Sequence, residues 1–290
     1  MSFWIVSDTA SDLPAGYVAG YEKLRLIPMP YLLDGVEGFY EVGDEKNVHS
    51  FYQGLRDGKV ATTSQVNQSQ YYSVLKELTD RGEEVLVIPL SGGISGSIQS
   101  ANLALSALKD VNPKAKVRAV DSLCASLGQG LLLHYTLMER AKGKSMEETA
   151  EWLETFRQKI IQWFTVDDLN FLFRGGRVSR SAAFVGTMLG VKPVLHVDWE
   201  GRLIPMEKVQ GRKRSIRTLA KRIIENASPK SGQTVFISHG DCEEDAEYLK
   251  HLISEGLPDV KTVLISPCGC VVGAHSGPGT LAVFAVGEHR

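Results

Sequence analysis

The chain of 290 residues predicts an α/β fold of two α/β domains, the first a mostly parallel sheet covered by helices, with a ligand between the domains. Three observations predict it. Short apolar runs alternate with segments of helical periodicity along most of the chain. The apolar runs are continuous, the pattern of strands buried on both faces of a sheet. Several of them empty into loops of glycine and hydroxyl residues, and open parallel sheets bind their ligands outside the carboxyl ends of their strands.

The elements follow in order. Residues 4–6 read as a first strand, running into Ser7-Asp8-Thr9-Ala10-Ser11-Asp12-Leu13-Pro14. Residues 25–32 read as a second strand and 48–55 as a helix. Thr62-Thr63-Ser64-Gln65 precedes a helix over 70–78, for which Asn67 is the N-cap; Ser64 reads equally as a ligand group or a capping hydroxyl. The buried-strand run 85–90 enters Ser91-Gly92-Gly93-Ile94-Ser95-Gly96-Ser97, which opens a helix over 98–108. This glycine loop lies at a helix N-terminus, where free N–H groups and the macrodipole favour an anion. A strand at 117–120 and a helix at 126–138 complete the first half.

Helical spacing over 146–159 makes the connection between halves a helix, and we place the boundary at its end, giving domains 1–159 and 160–290. The second half repeats the architecture without repeating the sequence: strands at 233–238, 261–265 and 281–286, helices at 215–225 and 243–254. It also holds Ala182-Ala183-Phe184-Val185-Gly186-Thr187-Met188-Leu189-Gly190, which periodicity alone reads as a core helix.

Bulk properties exclude several classes. With 32 basic and 34 acidic residues the net charge is -2, which supplies no whole-molecule field for nucleic acid. Charged Asp8 and Asp12 stand where a secretory apolar segment would be, and no run approaches the roughly 20 apolar residues of a membrane helix. A cytoplasmic location is expected. Cys124, Cys242, Cys268 and Cys270 are too few and too scattered for a disulfide framework, and Cys268-Gly269-Cys270 would need partners from elsewhere to hold a metal. Buried thiols, with no metal and no cofactor, are expected.

The most informative stretch is His275-Ser276-Gly277-Pro278-Gly279-Thr280, an imidazole beside a rigid, glycine-lined turn at the mouth of a sheet. By itself such a histidine is an ordinary structural residue in a turn. Read with Ser7-Asp8-Thr9-Ala10-Ser11-Asp12-Leu13-Pro14, Thr63-Ser64-Gln65, Ser95-Gly96-Ser97, Gln99-Ser100-Ala101, Asp121-Ser122 and Gly175-Gly176-Arg177, it resembles the DegV family of bacterial fatty-acid-binding proteins. The motifs fall in the family's order over essentially the whole chain. Val66 departs from a usual proline, and Ser97 and Ser276 from usual threonines, though both serines keep a hydroxyl.

The resemblance implies a long-chain fatty acid such as palmitate in a buried tunnel, presented to a separate fatty-acid kinase subunit that brings ATP and metal. Such a role belongs to fatty-acid metabolism and phospholipid synthesis and allows transient membrane contact. It implies that Thr63, Ser95, the N–H groups around Gly96 and an imidazole at His275 meet the carboxylate, and that Phe184 and Met188 line the tail. Arg177, in the family motif, and Arg212, in the basic run Arg212, Lys213, Arg214 and Arg217, are expected to meet the kinase or the acyl-phosphate. The protein would then bind lipid without catalytic machinery of its own.

Two rivals use the same residues. Gly93-Ile94-Ser95-Gly96-Ser97 nearly spells the Gly-x-Ser-x-Gly elbow, which makes a serine hydrolase with Ser95, His275 and Asp241 or Asp245 the alternative. Its defect is Ser97 in place of glycine, and Asp241 reads as an N-cap for the next helix. A dinucleotide site at Gly277-Pro278-Gly279-Thr280 fails because only 11 residues follow Gly279, too few for the remaining helix and strand.

Overall fold

The computed structural model describes residues 2–179, 190–257 and 259–290. The first half contains β1 (Trp4–Asp8), α1 (Ala15–Ala19), β2 (Leu24–Ile27), β3 (Met29–Leu33), β4 (Val36–Tyr40), α2 (Glu45–Arg56) and β5 (Ala61–Thr63). It continues through α3 (Gln68–Asp80), β6 (Val85–Val87), α4 (Ser97–Val111), β7 (Val117–Ala119), α5 (Leu127–Ala141) and α6 (Met146–Phe156). Four strands form a wholly parallel sheet in the order β2-β1-β6-β7. Its centre is dry: every residue of β6 is buried, as its unbroken apolar run requires.

The strand expected over 25–32 is two strands. Pro28 breaks it, because proline cannot donate to the ladder and restricts the residue before it. β2 stays in the parallel sheet, while β3 turns away to pair antiparallel with β4 and β5 in a small second sheet. Thr63 therefore ends a strand instead of lying in a loop. Asn67 caps α3 as expected, in a reciprocal box: it accepts from Gln70 N while the Gln70 side chain accepts from Asn67 N.

The second half contains β8 (Ile160–Thr165), α7 (Asn170–Arg174), β9 (Val191–Val197), β10 (Leu203–Gln210), α8 (Arg212–Asn226) and β11 (Thr234–His239). α9 (Glu243–Gly256), β12 (Thr262–Pro267), α10 (Cys270–Ser276) and β13 (Leu281–Val286) follow. The six strands are ordered β10-β9-β8-β13-β11-β12. This sheet does not repeat the first one's directions. Only β11 and β12, joined by the α9 crossover, are parallel; β13 runs antiparallel to both β11 and β8. The β9–β10 pair is antiparallel because five residues join it, and parallel neighbours need a long crossover.

All strands of the parallel and small sheets precede residue 160 and all strands of the six-stranded sheet follow 159, and on that basis we propose 159/160 as the division. Two helices cross it. α5 packs on β8, β11 and β13, so Leu131 and Leu132 share a core with Phe164, Phe236 and Phe284. α10 packs on β3, β5 and α2, which puts Val271 and Ala274 in one core with Phe51, Tyr52 and Leu75. These crossings fix the two sheets relative to each other and leave a space between them.

Candidate functional site

That space is a cavity of about 800 Å³, counting the part open to solvent. Both halves line it. Met29, Leu90 and Ile94 come from one side, Phe164, Leu172, Val197, Leu203, Val271 and Phe284 from the other. Of the polar lining residues, Thr63, Ser64, Gln65, Ser95, Arg177 and His275 form one group, and Ser126, Ser238 and Cys268 stand apart from it at the other end of α10; Ser276 and Thr280 also line the cavity, but their hydroxyls donate to Val272 O and Gly277 O.

Thr63 and His275 meet directly. Thr63 Oγ1 at the end of β5 lies 2.7 Å from His275 Nε2. His275 sits in the last turn of α10, not in the turn expected from sequence; the helix ends at Gly277, whose φ of 78° few other residues adopt and whose missing side chain leaves room for the Phe171 ring. The other imidazole nitrogen, Nδ1, is buried without a partner and faces the α-carbon of Gly175, where any side chain would collide with it. Burial, helped by the nearby Arg177 cation, pushes the His275 pKa down to about 4, so the ring is neutral at pH 7.

Ser95 reaches the cavity from the loop that opens α4. Its Oγ lies 3.0 Å from Ser97 Oγ and accepts from Ser97 N at 3.2 Å, satisfying a free donor of the helix start. Gly96 is the N-cap position but does not line the cavity; its bare α-carbon admits the Gln65 side chain, which donates from Nε2 to Ser100 Oγ at 2.8 Å. The loop is braced from behind. Gly92 N donates to both Asp121 oxygens, Ser91 Oγ donates to Gly201 O at 2.8 Å, and Gly93 packs directly on the Glu200–Gly201 backbone of the β9–β10 turn.

Arg177, expected to meet the kinase or the acyl-phosphate, faces the cavity. It is half-buried, lines the cavity and is tied by Nε to Ile94 O at 3.1 Å and by Nη1 to Gly175 O. Arg212 lies elsewhere: it opens α8, with Nε 2.8 Å from Asp245 and Nη1 3.6 Å from Asp167, and does not line the cavity. Phe184 and Met188 lie outside the described residues. The residues that do form the apolar wall, such as Phe164, Val197 and Phe284, were missed because in sequence they are ordinary strand-core positions; no periodicity separates a cavity face from a packed one.

The hydrolase arrangement is not assembled. His275 bonds Thr63 instead of Ser95, its Nδ1 has no carboxylate, and Asp245 is taken by Arg212. Asp241 does not cap α9 either: Cys242 is the N-cap, and the Asp241 carboxylate accepts from His49 Nδ1 at 2.8 Å and from Arg56. All four cysteines are free thiols, and among the described residues no group of three or more His, Cys, Asp or Glu is placed to hold a metal. Among the described residues no helix is long and apolar enough to cross a membrane.

Comparison with known proteins puts this geometry in context. The DegV family profile matches residues 2–288. This chain belongs to the DegV family. A DegV domain-containing protein of Clostridium perfringens is 37% identical over 288 residues, covering 99% of this chain and 98% of that one. Another, from Lactococcus lactis, is 34% identical over 289 residues, with 99% and 98% covered. Among solved structures, a fatty-acid-binding DegV family protein from Thermus thermophilus superposes with a TM-score of 0.87 at 30% identity, covering 99% of this chain and 100% of that one. A DegV lipid-binding protein from Thermotoga maritima gives 0.87 at 28% identity with both chains fully covered, at 100%. The motifs read from the sequence are therefore those of a DegV protein, and its relatives of known structure are described as binding lipid.

Proposed function

We propose that this DegV protein binds a long-chain fatty acid in the cavity between its sheets, with the carboxylate at Thr63 and Ser95, and presents it to a separate kinase subunit. The observation that carries the reading is the Thr63–His275 pair at one end of an otherwise largely apolar space. A fatty acid has one anionic group and a long tail. Burying about a dozen methylenes at roughly 0.8 kcal/mol each gives a gross driving force near 10 kcal/mol before entropic losses. The tail supplies affinity; the head needs donors, because a buried carboxylate without partners is costly.

A neutral His275 fits that need. With its proton on Nε2, the imidazole donates to Thr63 Oγ1, and the Thr63 proton is then directed at the ligand. Ser95 Oγ, which already accepts from Ser97 N, has its own proton to give. Arg177 adds a fixed positive charge at the same end, and Gly96 N–H and the rest of the α4 N-terminus add dipole. Phe184 and Met188 would extend the tail wall, and Arg212 would serve partner docking.

In the presented complex a carboxylate oxygen attacks the γ-phosphorus of ATP, forming the acyl-phosphate bond as the bond to ADP breaks. ATP and metal come with the kinase, since this chain has no phosphate-binding Gly-x-x-x-x-Gly-Lys loop. We place the reaction in the cytoplasm, with transient membrane contact for fatty-acid exchange. The test is reconstitution: delipidated protein, palmitate, ATP and a bacterial fatty-acid kinase subunit should yield acyl-phosphate, trapped as the hydroxamate, only when all four are present. Product formation without this chain, or none with it, would overturn the presenting role.

A further inference from the structure

The small sheet of β3, β4 and β5 has two unlike faces. Residues paired across an antiparallel ladder share a face, and the next residue along each strand takes the other. Met29 pairs with Tyr40, and Tyr31 pairs with both Gly38 and Thr63, so these residues share the inner face. There Met29 and Tyr40 are buried in a core with Val271 and Ala274 of α10, and Thr63 reaches His275. The outer face belongs to Pro30, Leu32, Glu37, Phe39 and Thr62. It is open: Leu32 is 41% and Phe39 49% exposed, and Val60, whose carbonyl extends the ladder by accepting from Asp34 N, is 54% exposed.

This apolar face adjoins the mouth of the cavity. Thr62, exposed between Leu32 and the end of β5, directly precedes Thr63. Ser64 is exposed, lines the cavity and donates from its backbone to Pro30 O at 3.2 Å, and Pro30 pairs with Phe39. At about 3.3 Å per strand residue, a carboxylate held at Thr63 lies one residue from the outer face. A protein that reaches that carboxylate through the mouth must cover this ground.

Charge separates the occupants. Asp34, Glu37 and Glu41 rim the face, all exposed, and among the described residues none of the three forms an ion pair; Lys59 stands beside Val60 at the far corner. An acidic rim is repelled by anionic lipid surfaces, which attract basic segments. A two-fold contact between copies would set the patch against itself and the rim carboxylates against each other. A different protein with an apolar centre and a Lys/Arg rim fits, and exposed phenylalanine is typical of such contacts.

We infer that the outer face of the small sheet is the docking surface for the kinase subunit that phosphorylates the bound acid. This rests on the reading that the carboxylate lies at Thr63 and is presented to a separate subunit.

The experiment measures acyl-phosphate formation by a bacterial fatty-acid kinase subunit at varied concentrations of the palmitate-loaded full chain, for wild type, the double variant Leu32→Ser/Phe39→Ser, and Glu37→Lys. Palmitate affinity is measured alongside by calorimetry. The double variant should bind palmitate within about twofold of wild type, while the kinase KM for the loaded protein rises about tenfold at unchanged kcat. Glu37→Lys should raise KM about threefold at low salt and lose that difference at about 0.5 M salt. An unchanged KM in the double variant would overturn the docking surface, and a lower KM in Glu37→Lys would overturn the basic-rimmed partner. If instead the double variant loses only flotation with phosphatidylglycerol vesicles, or only self-association in sedimentation, the face belongs to a membrane or to a second copy and the inference falls. Should the double variant not fold, Glu37→Lys, a change at an exposed side chain, decides alone. Palmitate binding without any acyl-phosphate from wild type is a different result: it removes the presenting role itself, and the docking surface with it.

Discussion

Thr63 Oγ1 and His275 Nε2 lie 2.7 Å apart although 212 residues separate them in the chain. One ends a strand of the small antiparallel sheet, the other ends a helix that reaches across from the second half. Their hydrogen bond couples a hydroxyl to a neutral imidazole, and the contact can direct the hydroxyl proton toward an anion in the cavity.

Thr63→Ala should weaken palmitate binding by about 1–3 kcal/mol, the cost of leaving a charged acceptor underpaired, whereas Thr63→Ser should keep most of the affinity. Calorimetry on delipidated protein, with thermal transitions recorded in parallel, checks both. Equal affinity for wild type and Thr63→Ala would remove Thr63 from the head-group site.

Gly175→Ala tests the imidazole's position without touching either partner. The backbone φ at Gly175 is -71°, which any residue adopts, but the new methyl would overlap His275 Nδ1. The ring must shift away from Thr63. Palmitate affinity should fall by about tenfold, to the level of His275→Ala, while the melting temperature changes little. Retained affinity would show that His275 does not orient Thr63.

Arg177→Ala should raise the His275 pKa, because the guanidinium beside the ring disfavours a second positive charge. Imidazole proton resonances followed against pH would show it. Since Arg177 lines the cavity, fatty-acid affinity should also drop, and the drop should shrink with added salt to the extent that the contact is solvent-screened. Unchanged affinity with slower acyl-phosphate formation would restore the purely partner-facing role expected from sequence.

Stability should depend on pH through Asp12, whose buried carboxyl is pushed up to about 7, and Asp8, pushed up to about 6. Both values exceed the unfolded carboxyl near 3.8, so the folded state binds more protons. The stability they contribute is full below about pH 4 and is lost as pH rises through 6 to 7. His275 has the opposite sign: its folded pKa of about 4 lies below 6.5, so its contribution is present above pH 6.5 and fades as pH falls toward 4. Asp12→Asn isolates one group, and asparagine tolerates the left-handed φ of 52° at this position. The melting temperature of wild type relative to Asp12→Asn should decline from pH 5 to pH 8; a constant difference would contradict the assignment.

Much of this was legible in the sequence where local chemistry decides structure. The Asn67 cap, the glycine loop before α4 and the strand over 281–286 follow from residue types that act within a few positions of themselves. Long-range pairing was not legible. Nothing local says that β8, β9 and β13 run antiparallel, that α10 is a helix packed into the first half's core, or that Arg177 folds back onto Ile94. The cavity wall was invisible for a related reason. Phe164 and Phe284 follow the same strand pattern whether a neighbour or a ligand fills the space beside them.

The most direct test of the central claim is the structure of the delipidated protein recombined with palmitate. The carboxylate should lie within hydrogen-bond distance of Thr63 Oγ1 and Ser95 Oγ, with the tail running between Ile94 and Phe284 toward Ser126. A carboxylate at the Ser126–Ser238 end, or an empty cavity at saturating palmitate, would contradict it.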